Sequence, residues 1–298
     1  MKANCIIFYQ IFTILTFNCN CIERKILNGH LGEVRALAVL KNGDLASGSS
    51  DKTIKIWDKN NDSVKMTLNN HSDEVISLAV LCDGNLASGS ADKTIKIWNT
   101  NDGSLKRTLK GHSSPVNSLA LLSNGDLVSS ADNIIIIWNP NNGSEKNILY
   151  GHTESVTSVV ALGDGFMASG SKDSKIMIWN TKTECIKKIL IDYSVEIWTL
   201  VVLKNGQLAS GYDDDQVKIW DINRGILMEM MDKVKYLNEP YSPTLDKNGD
   251  LASESDTDKN LDKKSENIKD IMDNYDYPMV SYALTILKNG DLASGTEN

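Results

Sequence analysis

One phrase, LASGSSDKTIKIWD over Leu45–Asp58, is written five times along this chain with small edits. It returns as LASGSADKTIKIWN at Leu86–Asn99, LVSSADNIIIIWN at Leu127–Asn139, MASGSKDSKIMIWN at Met167–Asn180 and LASGYDDDQVKIWD at Leu208–Asp221. The tryptophans Trp57, Trp98, Trp138, Trp179 and Trp220 are therefore spaced 41, 40, 41 and 41 residues apart. A chain that repeats at a fixed period folds as an array of like units, because one unit is too small to bury its apolar face alone and must stack on its neighbour. Two further landmarks keep the same beat. All four histidines, His30, His71, His112 and His152, stand at one repeat position, and the turn glycines Gly43, Gly84, Gly125, Gly165, Gly206, Gly249 and Gly290 run two repeats beyond the last motif tryptophan.

Within a repeat the pattern is that of short strands. After His30, the spacing of Val34, Leu37 and Val39 predicts an inner strand with a bulge between the first two. Asn42-Gly43-Asp44 is built of residues that tolerate positive φ and predicts a turn. Leu45–Ser49 reads as a second strand of small residues, and Thr53–Trp57, with Ile54 and Ile56 alternating with polar neighbours, as a third. Ser63–Leu68 reads as the fourth.

A period of 40 to 45 residues closed by a Trp-Asp pair is that of a propeller blade. On these motifs the chain resembles the WD-repeat (WD40-type) β-propellers over Ile22–Asn298. The resemblance implies an all-β, seven-bladed propeller with blades starting near residues 30, 71, 112, 152, 193, 236 and 277. Ile22–Asn28, which matches the outer strand of a blade but has no blade of its own, is then the strand that closes the last blade. The family also implies a hydrogen-bonded set in each blade: histidine before strand one, serine in strand two, aspartate in the next turn, tryptophan in strand three. His30, Ser47, Asp51 and Trp57 fit it, as do His71, Ser88, Asp92 and Trp98, and His152, Ser169, Asp173 and Trp179. In the third repeat His112, Ser129, Asp132 and Trp138 fit with one residue missing before the aspartate.

The later repeats depart from the pattern. The fifth keeps Ser210, Asp214 and Trp220 but carries Tyr193 in the histidine's place. The sixth has Tyr236 there, Pro240 and Pro243 in its first strand, and a charged stretch, Thr257–Asn267, where its third strand is due. The seventh ends at Asn298, before its third strand, which reads as a chain truncated at the C-terminus or a domain cut from a longer protein.

Residues 1–21 are set apart from the propeller at 22–298. The apolar run Cys5–Phe17 behind a single Lys2 is too short to span a bilayer as a helix and is about the length of a signal-peptide core, but Asn18, Cys19, Asn20 and Cys21 make a poor cleavage site. An upstream extension and a signal peptide both stand, and with a signal peptide Asn61, Asn70 and Asn142 become glycosylation acceptors. The five cysteines, three of them at the extreme N-terminus, form no disulfide framework or metal-type spacing.

Net charge of −8 and pI near 5.1 argue against a phosphate-tracking surface, so nucleic acid is not an expected partner. No metal or cofactor is expected: the four histidines fall on four different blades, and the Asp-rich turn at Asp213-Asp214-Asp215 has neither the glycine nor the distal glutamate of a calcium hand loop. No phosphate-cradling loop, serine elbow or Cys/His pair occurs, so an enzyme is not expected. What remains is surface. In the resembled family partners dock on the rim around the central channel, which here implies Glu33 and Arg35, Glu74 and Ile76, Asn117, Thr157 and Lys172, Glu196, Trp198 and Asp213, and Tyr282. Trp198 is the one tryptophan off the repeat beat. It reads either as a binding hot spot, since aromatics bury much area at small entropy cost, or as filler for the space left by the missing histidine.

The resemblance implies a non-catalytic scaffold for protein or peptide ligands, cytoplasmic or nuclear, with no membrane partner. A narrower alternative is a ubiquitin-pathway substrate receptor or ubiquitin-binding propeller, because IDYSVEIWTLVVLKNG in the fifth repeat is similar to a blade in the phospholipase A2-activating protein family. A secreted propeller enzyme is the alternative from another class, supported by the N-terminal apolar run.

Overall fold

A computed structural model describes residues 11–18, 21–191, 195–203, 206–213, 217–231, 281–286 and 292–296. The whole of the sixth repeat's strand region, with Tyr236, Pro240, Pro243 and Thr257–Asn267, lies outside these residues, as do Tyr193 and Asp214.

Every described element is a strand, and the strands form four-stranded antiparallel sheets that follow one another along the chain. The first motif sheet holds β3 (Val34–Val39), β4 (Leu45–Ser49), β5 (Thr53–Trp57) and β6 (Val64–Asn69), in that order. The second holds β7 (Val75–Val80), β8 (Leu86–Ser90), β9 (Thr94–Trp98) and β10 (Leu105–Lys110). The third holds β11 (Ser118–Leu121), β12 (Leu127–Ala131), β13 (Ile134–Trp138) and β14 (Glu145–Tyr150). The fourth holds β15 (Val156–Gly163), β16 (Phe166–Ser171), β17 (Lys175–Asn180) and β18 (Cys185–Ile191), and the fifth β19 (Ile197–Val202), β20 (Leu208–Tyr212), β21 (Val217–Asp221) and β22 (Ile226–Met231).

A sixth sheet joins the two ends of the chain in the order β2 (Cys21–Asn28), β1 (Ile11–Asn18), β24 (Leu292–Thr296) and β23 (Ser281–Ile286). The strand beside β24, in the position of a motif sheet's third strand, is thus Ile11–Asn18, inside the apolar run that precedes residue 22. β23 and β24 lie against β3, so this sheet stacks on the first motif sheet.

The core lies between sheets. The second strand of each motif sheet is rich in small residues and, save for the partly buried Phe166 that opens the fourth sheet's strand, buried along its length, which lets the flanking sheets approach closely. A Cβ added to Gly48, Gly89 or Gly170 would come within 2.6 to 2.7 Å of Val75, Val116 or Ile197 of the following sheet, so glycine there is a packing requirement. Each of the five motif tryptophans inserts against the sheet before it. Trp98 clusters with Ile54, Ile56 and Leu68, Trp138 with Ile95 and Ile97, Trp179 with Ile135 and Ile137, and Trp220 with Ile176 and Ile178. Trp57 does the same with Leu27 of β2. Full burial of such a side chain stabilises the fold by roughly 2–3 kcal/mol.

A polar stitch runs between sheets on the same period. The hydroxyls of Ser77, Ser118 and Ser158 accept the backbone N–H of Leu119, Val159 and Leu200 in the next sheet at 2.9, 3.1 and 3.1 Å. The first sheet carries Ala36 at this place. Because the Leu200 amide is buried, Ser158→Ala leaves it unpaired and is expected to cost about 1–3 kcal/mol, read as a lower denaturant midpoint with unchanged m-value. An unaltered midpoint would show that the stitch carries no stability.

Candidate functional site

Two layers of residues sit at the histidine end of the first four motif sheets: a buried hydrogen-bonded set, and beside it the partly buried residues expected to form a rim. In the first sheet His30 Nδ1 lies 2.8 Å from Asp51, His30 Nε2 2.7 Å from Ser47, and the Trp57 indole N–H donates to the same serine oxygen at 2.8 Å. A carboxylate can only accept, so Nδ1 carries the proton; Nε2 then accepts from the Ser47 hydroxyl, whose oxygen accepts from Trp57. The second sheet repeats this with His71–Asp92 at 2.7 Å, His71–Ser88 at 2.7 Å and Trp98–Ser88 at 2.8 Å. The fourth repeats it with His152–Asp173 at 2.9 Å, His152–Ser169 at 2.7 Å and Trp179–Ser169 at 2.7 Å. The aspartate also accepts from backbone: Asp51 takes the N–H groups of Leu31 and Thr53 and the Thr53 hydroxyl. It therefore ties the lead-in loop, the turn and the third strand together. Burial alone would raise these carboxyls, but the bonds they accept outweigh it: Asp51, with His30 as its largest partner, and Asp173, with His152, lie below the usual carboxylate range, and Asp92, with Thr94 and His71, falls to about 2. Sequence reasoning missed a further support. Ser49, Ser90 and Ser171, two residues beyond the motif serine, donate to the carbonyls of Gly32, Asp73 and Glu154, a role signalled by the second serine of Ser-Gly-Ser.

The third sheet corrects one expectation. His112 lies 2.6 Å from Ser129 and Trp138 donates to Ser129 at 2.7 Å, but Asp132 makes no bond to His112, whose buried Nδ1 has no partner among the described residues. The deleted residue is the cause. The turn shrinks to Asp132-Asn133, and Asp132, at φ +50°, takes the left-handed position that Lys52, Lys93 and Ser174 hold after the aspartate in the other sheets. Burial, unopposed by any carboxylate, pushes the His112 imidazole down to about 4. Burial also lowers His71 and His152, against the pull of Asp92 and Asp173.

In the fifth sheet the histidine's place on the serine is taken from an unexpected direction. Trp220 still donates to Ser210 at 2.8 Å, while the hydroxyl of Tyr212, a fully buried side chain on the same strand, meets Ser210 at 3.0 Å. The sequence signal was the change of LASGS to LASGY.

The rim residues share a geometric origin. In the inner strands the register shifts between Val34 and Ala36, Val75 and Ser77, Val156 and Ser158, Ile197 and Thr199, and Ser281 and Ala283. The residue left out of the ladder is Arg35, Ile76, Thr157, Trp198 or Tyr282 in turn, so the bulge accounts for the placement of these five, while Asn117 precedes an inner strand without a bulge. Their side chains differ in what they do. Arg35 pairs with Glu33 at 2.6 Å and reaches Glu74 of the next sheet at 3.8 Å. Asn117 donates to Ser155 and to the Val156 carbonyl, and Thr157 to the Ile197 carbonyl at 2.6 Å, each tying its sheet to the following one. Trp198 is half-buried on the rim, donating its indole N–H to Asp213 at 3.0 Å, with Lys172 Nζ 4.6 Å from its ring and Lys172 paired to Glu196 at 3.0 Å. Its indole N–H is directed to Asp213, while at Ser210 Tyr212 stands in for the histidine. Tyr282 is placed by register only.

Among the described residues no group of three or more His, Cys, Asp or Glu is placed to hold a metal ion, the thiols of Cys82 and Cys185 are unbridged, and no helix is long and apolar enough to cross a membrane.

Serial four-stranded sheets, each centred on a serine that joins an indole to an imidazole or a phenol, define a β-propeller repeat protein. The sequence description "WD domain, G-beta repeat" matches residues 21–58, 62–99, 103–139, 143–180 and 184–221, and the chain belongs to that family. No curated protein sequence matches. Solved structures of the same fold include "Structure of U3-55K", with a TM-score of 0.65, and "Crystal structure of RRP9 WD40 repeats", with 0.66; each is 23% identical and matches over 70% of this chain and 66% of its own length. This chain thus spans just under two thirds of those structures, and the likeness is one of fold.

Acid should expose the cost of His112. Its folded pKa, about 4, lies below the unfolded value of about 6.5, so the unfolded chain takes the proton first. Stability is full above pH 6.5, falls as pH drops toward 4, and loses up to about 3 kcal/mol over that window. His112→Gln should flatten the slope of unfolding free energy against pH by one proton there; an unchanged slope would mean the imidazole is not held neutral. Tyr212→Phe should cost about 1 kcal/mol by denaturation, through the bond lost at Ser210, without displacing Trp220 fluorescence.

Proposed function

We propose that this protein is a non-catalytic, seven-bladed propeller, closed into one ring, that serves as a rigid platform for protein or peptide partners on the rim at the histidine end, in the cytoplasm or nucleus. Seven blades are supported by the turn glycines, which keep their period through Gly249 and Gly290, and by the sheet that both chain ends share. A scaffold without reacting groups is supported by how the repeated titratable groups are used: each described histidine faces its own serine, and three of the four face a carboxylate of their own sheet.

The observation that carries the reading is Trp198. It is the bulge residue of its strand, only half-buried, and held in one orientation by Asp213 below its N–H and Lys172 over its face. A large amphipathic ring already ordered in the free protein loses little entropy when a partner covers it. Lys172 and Trp198 come from adjacent blades, so the site spans a blade boundary.

Trp198→Ala should leave the melting temperature within about 2 °C of the parent, since the ring is not part of the core clusters, and weaken the partner recovered by affinity purification by tenfold or more. Undiminished recovery, or a variant that fails to fold, would remove Trp198 from the partner surface.

A further inference from the structure

We propose that the third motif sheet carries a carboxylate-binding site, made by the Nδ1–H of His112 and the backbone N–H of Ser113, and that its ligand is an aspartate or glutamate side chain of a protein partner. The source of the carboxylate rests on the platform reading given above; the site itself is independent of Trp198.

Three sister sheets show what this place is built to hold. Asp51, Asp92 and Asp173 each accept there from a histidine Nδ1, at 2.8, 2.7 and 2.9 Å. The same carboxylate oxygen accepts the N–H of the residue after that histidine, from Leu31 at 2.8 Å, Ser72 at 3.0 Å and Thr153 at 3.1 Å. The two donors together are a repeated carboxylate cradle. In the third sheet the cradle is kept and its carboxylate is turned away. The His112 ring stands 6.0 Å and 65° from Trp138, against 6.3 Å and 62° for His30 and Trp57 and 6.1 Å and 62° for His71 and Trp98, so its Nδ1 faces the same place. Ser113 follows it as Leu31 and Ser72 follow theirs. Asp132, at φ +50°, is exposed, and the turn is held in that form: Val156 of the next sheet donates its N–H to the Asp132 carbonyl at 2.6 Å. Ile134, whose counterparts Thr53 and Thr94 donate to their aspartates, pairs in the ladder with Ala131.

The ring proton is in the right position. Ser129, fully buried, accepts the Trp138 N–H at 2.7 Å and needs an acceptor for its own hydroxyl proton. His112 Nε2, at 2.6 Å, takes it, which leaves the proton on Nδ1. His112 is 9% exposed and its Nδ1 has no partner among the described residues, so the demand is for an acceptor and not for a metal or a donor. A buried N–H without an acceptor is costly, and a carboxylate brought in by a partner recovers that cost on binding. Charge points the same way. Lys93, exposed, holds the turn place from which Lys52 of the sheet before reaches the Ser72 carbonyl at 3.0 Å and Asp73 at 3.8 Å. The counterparts of Ser72 and Asp73 in the next loop are Ser113 and Ser114, so that loop offers Lys93 no carboxylate of its own. Ser113, Asp132 and Asn133 are all exposed, and a side chain entering from the rim displaces loop rather than core. Two donors and one cation match a single carboxylate. They are too few to retain a dilute free acid, whereas a side chain is also held by the protein that bears it.

The test is NMR of the full chain, isotope-labelled, titrated with acetate against chloride at equal ionic strength and pH. Acetate should shift the Ser113 amide and the His112 ring nitrogens saturably, half-maximally at roughly 10–100 mM, since two or three hydrogen bonds act without apolar burial. The Leu31, Ser72 and Thr153 amides, which already hold an aspartate, should stay in place. The blocked peptide acetyl-Gly-Asp-Gly-amide should act as acetate does, and its asparagine counterpart should not. Insertion of one serine between Ala131 and Asp132 restores the spacing of Ser47–Asp51 and should return a carboxylate to His112, weakening both responses at least tenfold. Ser113→Pro, which removes the N–H from an exposed loop, should weaken the His112 response likewise and serves if the insertion does not fold. Because acetate reports the site without any partner, its outcome stands apart from that of Trp198→Ala. No response at Ser113, an equal response in all four loops, or an undiminished response in both variants would overturn the site. Acetate binding without binding of the aspartyl peptide would overturn the protein ligand. A response that emerges only in Asp132→Ala would show the chain's own carboxylate reaching the cradle, and would overturn the proposal as well.

Discussion

The structure depends on a serine hydroxyl buried in the second strand of each of the five motif sheets. Apolar burial supplies most of the stabilisation, but it is non-directional, and short strands of similar composition can slip past one another with little change in buried area. The serine removes that freedom. Its oxygen must meet an indole N–H from the third strand and an imidazole from the lead-in loop, and a carboxylate from the intervening turn holds the other ring nitrogen. In a buried setting a mispaired register would strand several polar groups at once, each at about 1–3 kcal/mol. The set is thus a device for register as much as for stability.

The exceptions show what the device tolerates. Where Asp132 is drawn into a shortened turn, His112 keeps its serine and loses its carboxylate, and the strands stay in register. Where histidine is missing, Tyr212 supplies a hydroxyl to Ser210 from two residues along the same strand. The serine–tryptophan bond survives in all five motif sheets; the groups around it are replaceable. In the first, second, fourth and fifth sheets one bulge in the inner strand then lifts a single residue out of the ladder, and that residue is free to vary because the register is fixed elsewhere. The same backbone position carries an ion pair at Arg35, a link to the next blade at Thr157 and an aromatic platform at Trp198.

Much of this could be read from the sequence because the information is local. The bulge after Val34 follows from the spacing of three apolar residues, and the second strand from a run of small ones. The histidines, serines and tryptophans are lined up by the period, and the WD-repeat resemblance implies that they bond as a set. Asp132 could not be placed that way: one deleted residue changes the turn's handedness, and only the backbone dihedrals say which turn position the carboxylate inherits. Likewise a rim position inferred from spacing cannot say whether its polar atoms face a partner or the neighbouring blade, as Asn117 and Thr157 do.

By itself the sequence determined the unit: a four-stranded sheet of about 41 residues, repeated, with its polar centre and its turns in fixed places. Tertiary structure alone decided how units at the two chain ends complete each other. Ile11–Asn18 carries no tryptophan and no motif aspartate, and from sequence its apolar residues read as an upstream extension or a leader. Its partner Leu292–Thr296 lies almost the whole chain away. Pairings of that separation are set by which strand edge the curvature of the intervening sheets brings within reach, a property of the assembled array that no single repeat contains.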